Sequence, residues 1–190
     1  LRISADQWHY PIIEIVPNQI ITRSVNEKFK IIDGAVVADT KRDILKLVVV
    51  ERHKATGNIG VGLVKGLGLK RGAIASSIAH DSHNIVAAGT NDKDIYIAIK
   101  KIESMGGGLV ASADGKVLSA LPLPIAGLLS ALPLDKVVKK LSEVEKAAAD
   151  LGSKLGAPFA TLSFLALPVI PELRLTDKGL VDVLQFKTLE

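Results

Sequence analysis

Apolar residues recur at two different spacings along this chain, and the switches between them predict its elements. Residues 11–25 carry short β-branched runs, Ile12, Ile13 and Ile15, then Ile20, Ile21 and Val25, interrupted by Pro17-Asn18. That pattern predicts two strands about a turn. Asp33-Gly34 and Asp39-Thr40 mark further turns. Ile44–Val50 is almost wholly apolar and predicts a strand covered on both faces. It ends in the charged group Glu51-Arg52-His53-Lys54. The glycine-rich stretch from Gly57 to Gly68 predicts tight turns and close packing. Arg71–Ala79 is small-residue strand material, and Ile85–Ala88 resumes the apolar run. The polar island His80-Asp81-Ser82-His83-Asn84 between them is set at a turn joining two buried strands.

A helical spacing begins after Asn91, a predicted N-cap with Asp92 and Asp94 in the first turn. Ile95, Ala98, Ile99 and Ile102 share one face, and Gly106 supplies the stop. Leu109–Ser112 and Lys116–Ala120 flank Asp114-Gly115 and predict a hairpin. Asp135 is the predicted cap of a second helix, with Val137, Leu141, Val144, Ala148 and Leu151 as its apolar stripe and Gly152 as its end. Pro158 opens a short third helix and Pro168 closes it. Thr176–Gly179 turns into a last strand, Leu180–Phe186. Helices interspersed among strands and hairpins, without strict βαβ alternation, predict an α+β fold. The expected architecture is a single domain over residues 1–190, with mixed or mainly antiparallel sheets and helices packed on them.

Composition narrows the function classes. The 190 residues hold 24 basic and 20 acidic side chains, a mild excess of +4 with no basic tail or stripe, and only 7 aromatics. A nucleic-acid groove is disfavoured. The absence of cysteine excludes a disulfide scaffold, a zinc ribbon and a thiol nucleophile, and with one methionine it suits an intracellular or heat-adapted protein, with the cytoplasm as the expected location. Val117–Leu134 and Leu155–Pro171 run 18 and 17 residues without a charge. Each is punctuated by three prolines, which argues against membrane spans. They are expected in the domain core or against a neighbour, exposing an apolar patch that favours a homo-oligomer. The start at Leu1, with no methionine or leader pattern, predicts a processed or truncated polypeptide.

Candidate chemistry concentrates in one place. Gly57–Gly68 lacks the Gly-Lys-Ser/Thr of a phosphate loop and the third glycine of a dinucleotide fingerprint. His80-Asp81-Ser82-His83-Asn84 gathers two imidazoles, a carboxylate, a hydroxyl and an amide, which can relay protons or grip a heterocycle. Two His three apart with one Asp fall short of a complete metal site, and a hydrogen-bonded turn is the structural alternative. Glu51-Arg52-His53 either forms a solvated strand end or reaches a site. His9, beside Trp8 and Tyr10, reads as a local packing cluster.

The string from Val50 through Glu51-Arg52-His53-Lys54 and the glycine stretch to His80-Asp81-Ser82-His83-Asn84 closely resembles the C-terminal region of bacterial and archaeal adenine deaminases of the amidohydrolase superfamily. Glu14–Asn18, Gly89–Asp92, Met105–Val110, Leu121–Gly127 and Thr161–Glu172 continue the likeness over nearly the whole chain. The resemblance implies hydrolysis of adenine to hypoxanthine and ammonia in purine salvage. It also implies a divalent metal (manganese, iron or zinc) on a preceding (β/α)8 barrel whose ligands begin with a His-x-His pair. This chain has no His-x-His, so no metal ligand transfers to it, and the fragment alone is expected to be inactive. On this reading the partners are adenine and the barrel of the same polypeptide. His80, Asp81 and His83 are the candidate proton-shuttling or supporting residues, and Ser82 and Asn84 the candidate substrate contacts. The alternative is a stand-alone, non-catalytic ligand-binding or oligomerisation module.

Overall fold

A computed structural model describes residues 10–189, so the Trp8-His9 cluster lies outside the described residues. Strands β1 (Tyr10–Ile15), β2 (Thr22–Glu27), β5 (Ile44–Val50), β6 (Ile59–Lys65), β7 (Ala73–Ser76), β8 (Ile85–Gly89), β9 (Gly108–Ala113) and β10 (Lys116–Pro122) form one sheet. Its order is β10-β9-β7-β8-β5-β6-β1-β2. The β1–β6 pair is parallel and the other neighbours are antiparallel. A hairpin of β3 (Lys30–Ile32) and β4 (Ala35–Val37) and a sheet of β11 (Leu173–Thr176), β12 (Gly179–Asp182) and β13 (Lys187–Leu189) complete the strands. The helices are α1 (Asp92–Met105), α2 (Leu134–Asp150) and α3 (Pro158–Phe164). The mixed, mainly antiparallel α+β architecture agrees with the expectation.

The period of two along β5 explains the layering. Leu45, Leu47 and Val49 face a core closed by α2, α3 and β11–β12, through Val144, Leu162, Leu175 and Leu180. Val48 faces the opposite side, where Ile95, Ala98 and Ile102 of α1 pack with Ala73, Ala75 and Ala87. Both faces are covered, so β5 is buried nearly throughout, and each fully buried aliphatic side chain contributes about 1.5–3 kcal/mol. The α1 signals hold: Asn91 accepts from the Asp94 amide, and Gly106, at φ +73, ends the helix in a left-handed cap.

Three expectations are corrected. The glycine stretch contains a full strand, β6, because Gly60 and Gly62 lie beneath β11 and β12. A Cβ at Gly60 would collide with the Thr176 carbonyl, and one at Gly62 would press on Leu175 and Leu180. Asp135 does not cap α2. The helix starts a residue earlier behind Pro133, with no side-chain cap, and Asp135 sits inside the first turn. The last strand is broken after Asp182, whose carboxylate accepts from the Gln185 amide to form a turn before β13 returns. The proline-punctuated runs divide: Leu121, Leu123, Leu162 and Leu165 are buried, whereas Ile125, Leu129, Leu132, Leu134 and Val169 are exposed. No helix among the described residues is long and apolar enough to cross a membrane.

Candidate functional site

The polar island folds as the connection from β7 to β8, at the end of the large sheet where β5 finishes and β6 begins. His83 takes a left-handed backbone, φ +51, a conformation that a side-chain-bearing residue holds only where its surroundings enforce it. Here the enforcement is visible. The His83 amide donates to the Ala79 carbonyl at 2.6 Å, and the Ala79 amide donates back to His83 Nδ1 at 3.3 Å. Arg52 Nε donates to the His83 carbonyl at 2.6 Å, while its Nη2 donates to the Ala126 carbonyl at 2.6 Å. One guanidinium thus ties the 80–84 loop to the loop that follows β10. His53 Nε2 donates to the Ser82 carbonyl at 2.6 Å.

The Arg52 and His53 positions are themselves prepared. Glu51 accepts from the amides of His53, Lys54 and Thr56 and from the Thr56 hydroxyl. Those bonds, led by the Thr56 amide, hold its carboxyl down at about 2 and curl the chain just beyond β5. Arg52 and His53 therefore contact the backbone of the 80–84 loop, while Glu51 is bonded within its own turn. Ser77 Oγ donates to the Gly127 carbonyl and accepts from the Gly108 amide, fixing the far side of the same loop cluster.

Asn84 is buried, 3% exposed. Its Nδ2 donates to Asp177 Oδ1 at 3.1 Å, and Asn58 Nδ2 donates to the other carboxylate oxygen at 3.3 Å. Asn84 Oδ1 is buried without a partner. Asp81 and Ser82 are exposed. The His80 and His83 rings meet edge-on with centroids 5.6 Å apart, and His80 leans on Phe164 of α3 at 5.0 Å. Burial, then the neighbouring His80 and Arg52, push the His83 pKa below its ordinary value, so the ring is neutral at pH 7. Because Nδ1 accepts from Ala79, the neutral ring carries its hydrogen on Nε2.

The five sequence-singled residues therefore separate into kinds. Asp81 and Ser82 face outward, His80 and His83 form a ring pair at the surface, and Asn84 works from beneath. Arg52 and Asp177 are the residues that sequence reasoning undervalued. Arg52 had a signal, a charged group directly after a buried strand. Asp177 had none beyond its turn, because it meets Asn84 only through the fold. Among the described residues, no group of three or more His, Cys, Asp or Glu side chains is placed to hold a metal ion.

Residues 19–187 match the family model described as the adenine deaminase C-terminal domain. An adenine deaminase of Dehalococcoides mccartyi is 58% identical over 189 residues, covering 100% of this chain and 33% of that protein. One of Methanothrix thermoacetophila is 55% identical, covering 97% of this chain and 32% of that protein. One of Desulfatibacillum aliphaticivorans is 53% identical, covering 95% and 32%. The chain spans about a third of the length of the curated relatives it matches.

Proposed function

The chain belongs to the adenine deaminase C-terminal domain family, and from that premise we propose that its full-length protein hydrolyses adenine to hypoxanthine and ammonia, with the 80–84 loop turned toward the substrate. The observation that carries this reading is the construction of the loop. Side chains from two separate segments (Arg52 and His53 just after β5, and Asp177 between β11 and β12) hold its backbone and base, while Asp81 and Ser82 are left facing out. A turn needed only for connection would satisfy itself locally.

In this reading His83 presents its Nε2–H as a hydrogen-bond donor to a ring nitrogen or oxygen of the purine. Asp81 is the group free to carry a proton toward the departing ammonia, and Ser82 adds a hydroxyl. Asn84 is a positioning residue, acting through the loop it anchors to Asp177. The metal that such a deamination employs belongs to the part of the polypeptide outside this chain. The described residues here offer no ligand set for it, and no step of this account runs through it. The exposed side chains Ile125, Leu129, Leu132 and Leu134 form apolar surface suited to contact with that part or with a second subunit of a homo-oligomer. A cytoplasmic role in purine salvage fits the same chemistry.

The test is made in the full-length protein. His83→Ala and Asp81→Ala should each lower kcat/KM by at least about tenfold, the low end of general acid–base contributions, with metal content and far-UV circular dichroism unchanged. Full activity in both variants would reduce the loop to a structural turn.

A further inference from the structure

The 80–84 loop has a neighbour that shares its backbone shape. After β10 the chain closes a tight turn over 125–129. The Leu128 and Leu129 amides both donate to the Ile125 carbonyl at 3.0 Å, and the Ile125 amide donates to the Leu129 carbonyl at 3.1 Å. Within this turn Ala126 has a left-handed backbone, φ +54, close to His83 at φ +51. A residue with a Cβ holds that conformation only where its surroundings enforce it. The carbonyls of these two residues are the ones that Arg52 grips, each at 2.6 Å, through Nε and Nη2. Those two N–H groups lie on one edge of the rigid guanidinium fork, so they draw carbonyl oxygens from different loops side by side. Two such oxygens repel each other, and the cation that both accept from offsets the repulsion.

Gly127 leaves no slack in this arrangement. Its φ is +76, and the nearest atoms to a Cβ placed there all belong to Arg52, with Nη2 at 2.4 Å and Cζ at 2.7 Å. The guanidinium therefore lies directly against the main chain of the turn. The turn is fastened on its other side as well: the Gly127 carbonyl accepts from Ser77 Oγ, and the Leu123 amide donates to the Gly107 carbonyl at 2.9 Å. Position thus passes from the 125–129 turn, through one rigid side chain, to the His83 carbonyl.

We propose that the 125–129 turn is a positioning element for the 80–84 loop, acting on His83 through Arg52, with Gly127 as the position that gauges the contact. The consequence for catalysis rests on the deaminase reading; the contact path does not. Because the turn also carries Ile125 and Leu129, 49% and 62% exposed, a displacement imposed on it at the surface reaches His83 by this route.

The decisive variant is Gly127→Ala, which adds one carbon against Arg52 and changes no residue of the 80–84 loop. A left-handed backbone disfavours alanine, so Gly127→Asn, which brings the same Cβ on a residue that tolerates this backbone better, is the second variant. The readout is the imidazole NMR signals of His83 in this chain at neutral pH, assigned with His83→Gln, with far-UV circular dichroism to confirm folding. Burial, then His80, then Arg52 lower the His83 pKa, so the ring reports a displaced guanidinium. Either Gly127 variant should move the His83 signals. Arg52→Met alone should move them too, and adding Gly127→Ala to it should change nothing more, since the link is already gone. In the full-length protein Gly127→Ala should lower kcat/KM by about tenfold, within the range for a misplaced group. Moved signals with full activity would keep the coupling and overturn the role of the loop in deamination. Unmoved signals in a folded Gly127 variant, an equal added shift in the Arg52→Met background, or failure of both Gly127 variants to fold would overturn the proposal, whatever the activity.

Discussion

An asparagine stands near each end of β8, and the two are used in opposite ways. Asn91, leading into α1, accepts from the Asp94 amide at 2.9 Å and donates to the Asp94 carboxylate at 2.8 Å. Both partners belong to a residue three positions away, and the pair closes the helix start. Asp94 then accepts from the Gly115 amide, and Ser112 donates to the Asp94 carbonyl, so polar groups at this end have their partners. Asn84, at the other end, finds its partner 93 residues along the chain and leaves Oδ1 buried and unbonded. An unsatisfied buried acceptor costs about 1–3 kcal/mol. One end of the strand is arranged for stability. The other carries a stability cost in the place where outward-facing polar groups are held in position.

Substitutions at the two ends should separate these uses. Asn84→Leu in the full-length protein should lower kcat/KM by about 10–100-fold, the scale of loss when a positioned group drifts by an ångström. Asp177→Asn, which keeps an oxygen acceptor for the Asn84 amide, should retain most of the activity. Equal losses in both variants, or none in either, would show that the loop is not positioned through this pair. Asn91→Ala should cost about 1 kcal/mol of stability through the lost cap, read from denaturant unfolding, with activity per folded molecule unchanged. An activity loss matching that of Asn84→Leu would erase the contrast.

The smallest effect is a pH slope confined to the loop end. The His83 pKa lies below 6.5 in the folded chain, so on acidification the unfolded chain takes up this proton first. Stability attached to His83 is full above about pH 6.5 and is lost as pH falls through its folded pKa. His83→Gln should flatten unfolding stability across that window and leave the lower-pH decline in place. That decline includes Glu51, whose carboxyl, at about 2 when folded and 4.5 otherwise, contributes stability above 4.5 that disappears as pH falls toward 2. An unchanged slope just below pH 6.5 in His83→Gln would remove the histidine from this account.

The same contrast explains what could be read from sequence. The α1 segment was legible because its cap, its stripe of Ile95, Ala98 and Ile102, and its stop at Gly106 all act within a few residues. The polar island was legible as a turn because apolar strands bracket it. Strand β6 was hidden, because its glycines answer to the Thr176 carbonyl and Leu175 more than a hundred residues away. Asp135 misled because Asp favours helix starts in general, while here Pro133 already fixes the start. At the candidate site, the polar island was readable but the contacts that hold it were not. The contacts from Arg52 to Ala126 and from Asn84 to Asp177 exist only after distant loops converge at one end of the sheet.

The two rims of the eight-stranded sheet have a bearing on misassembly. An open outer strand is a template on which further chains can add. At β2 that template is occupied: the Thr22 amide donates to the Pro171 carbonyl, its carbonyl accepts from the Glu172 amide, and the Ser24 amide donates to the Glu172 carboxylate. At β10 the ladder with β9 slips between Val117 and Ser119, and such a bulge bends the rim away from a flat approach. Fibril growth by strand addition would have to strip the 171–172 segment from one rim and straighten the other. Main-chain geometry thus guards both ends of the ladder, leaving nearby apolar side chains such as Leu118 and Leu129 to associate without extending the sheet.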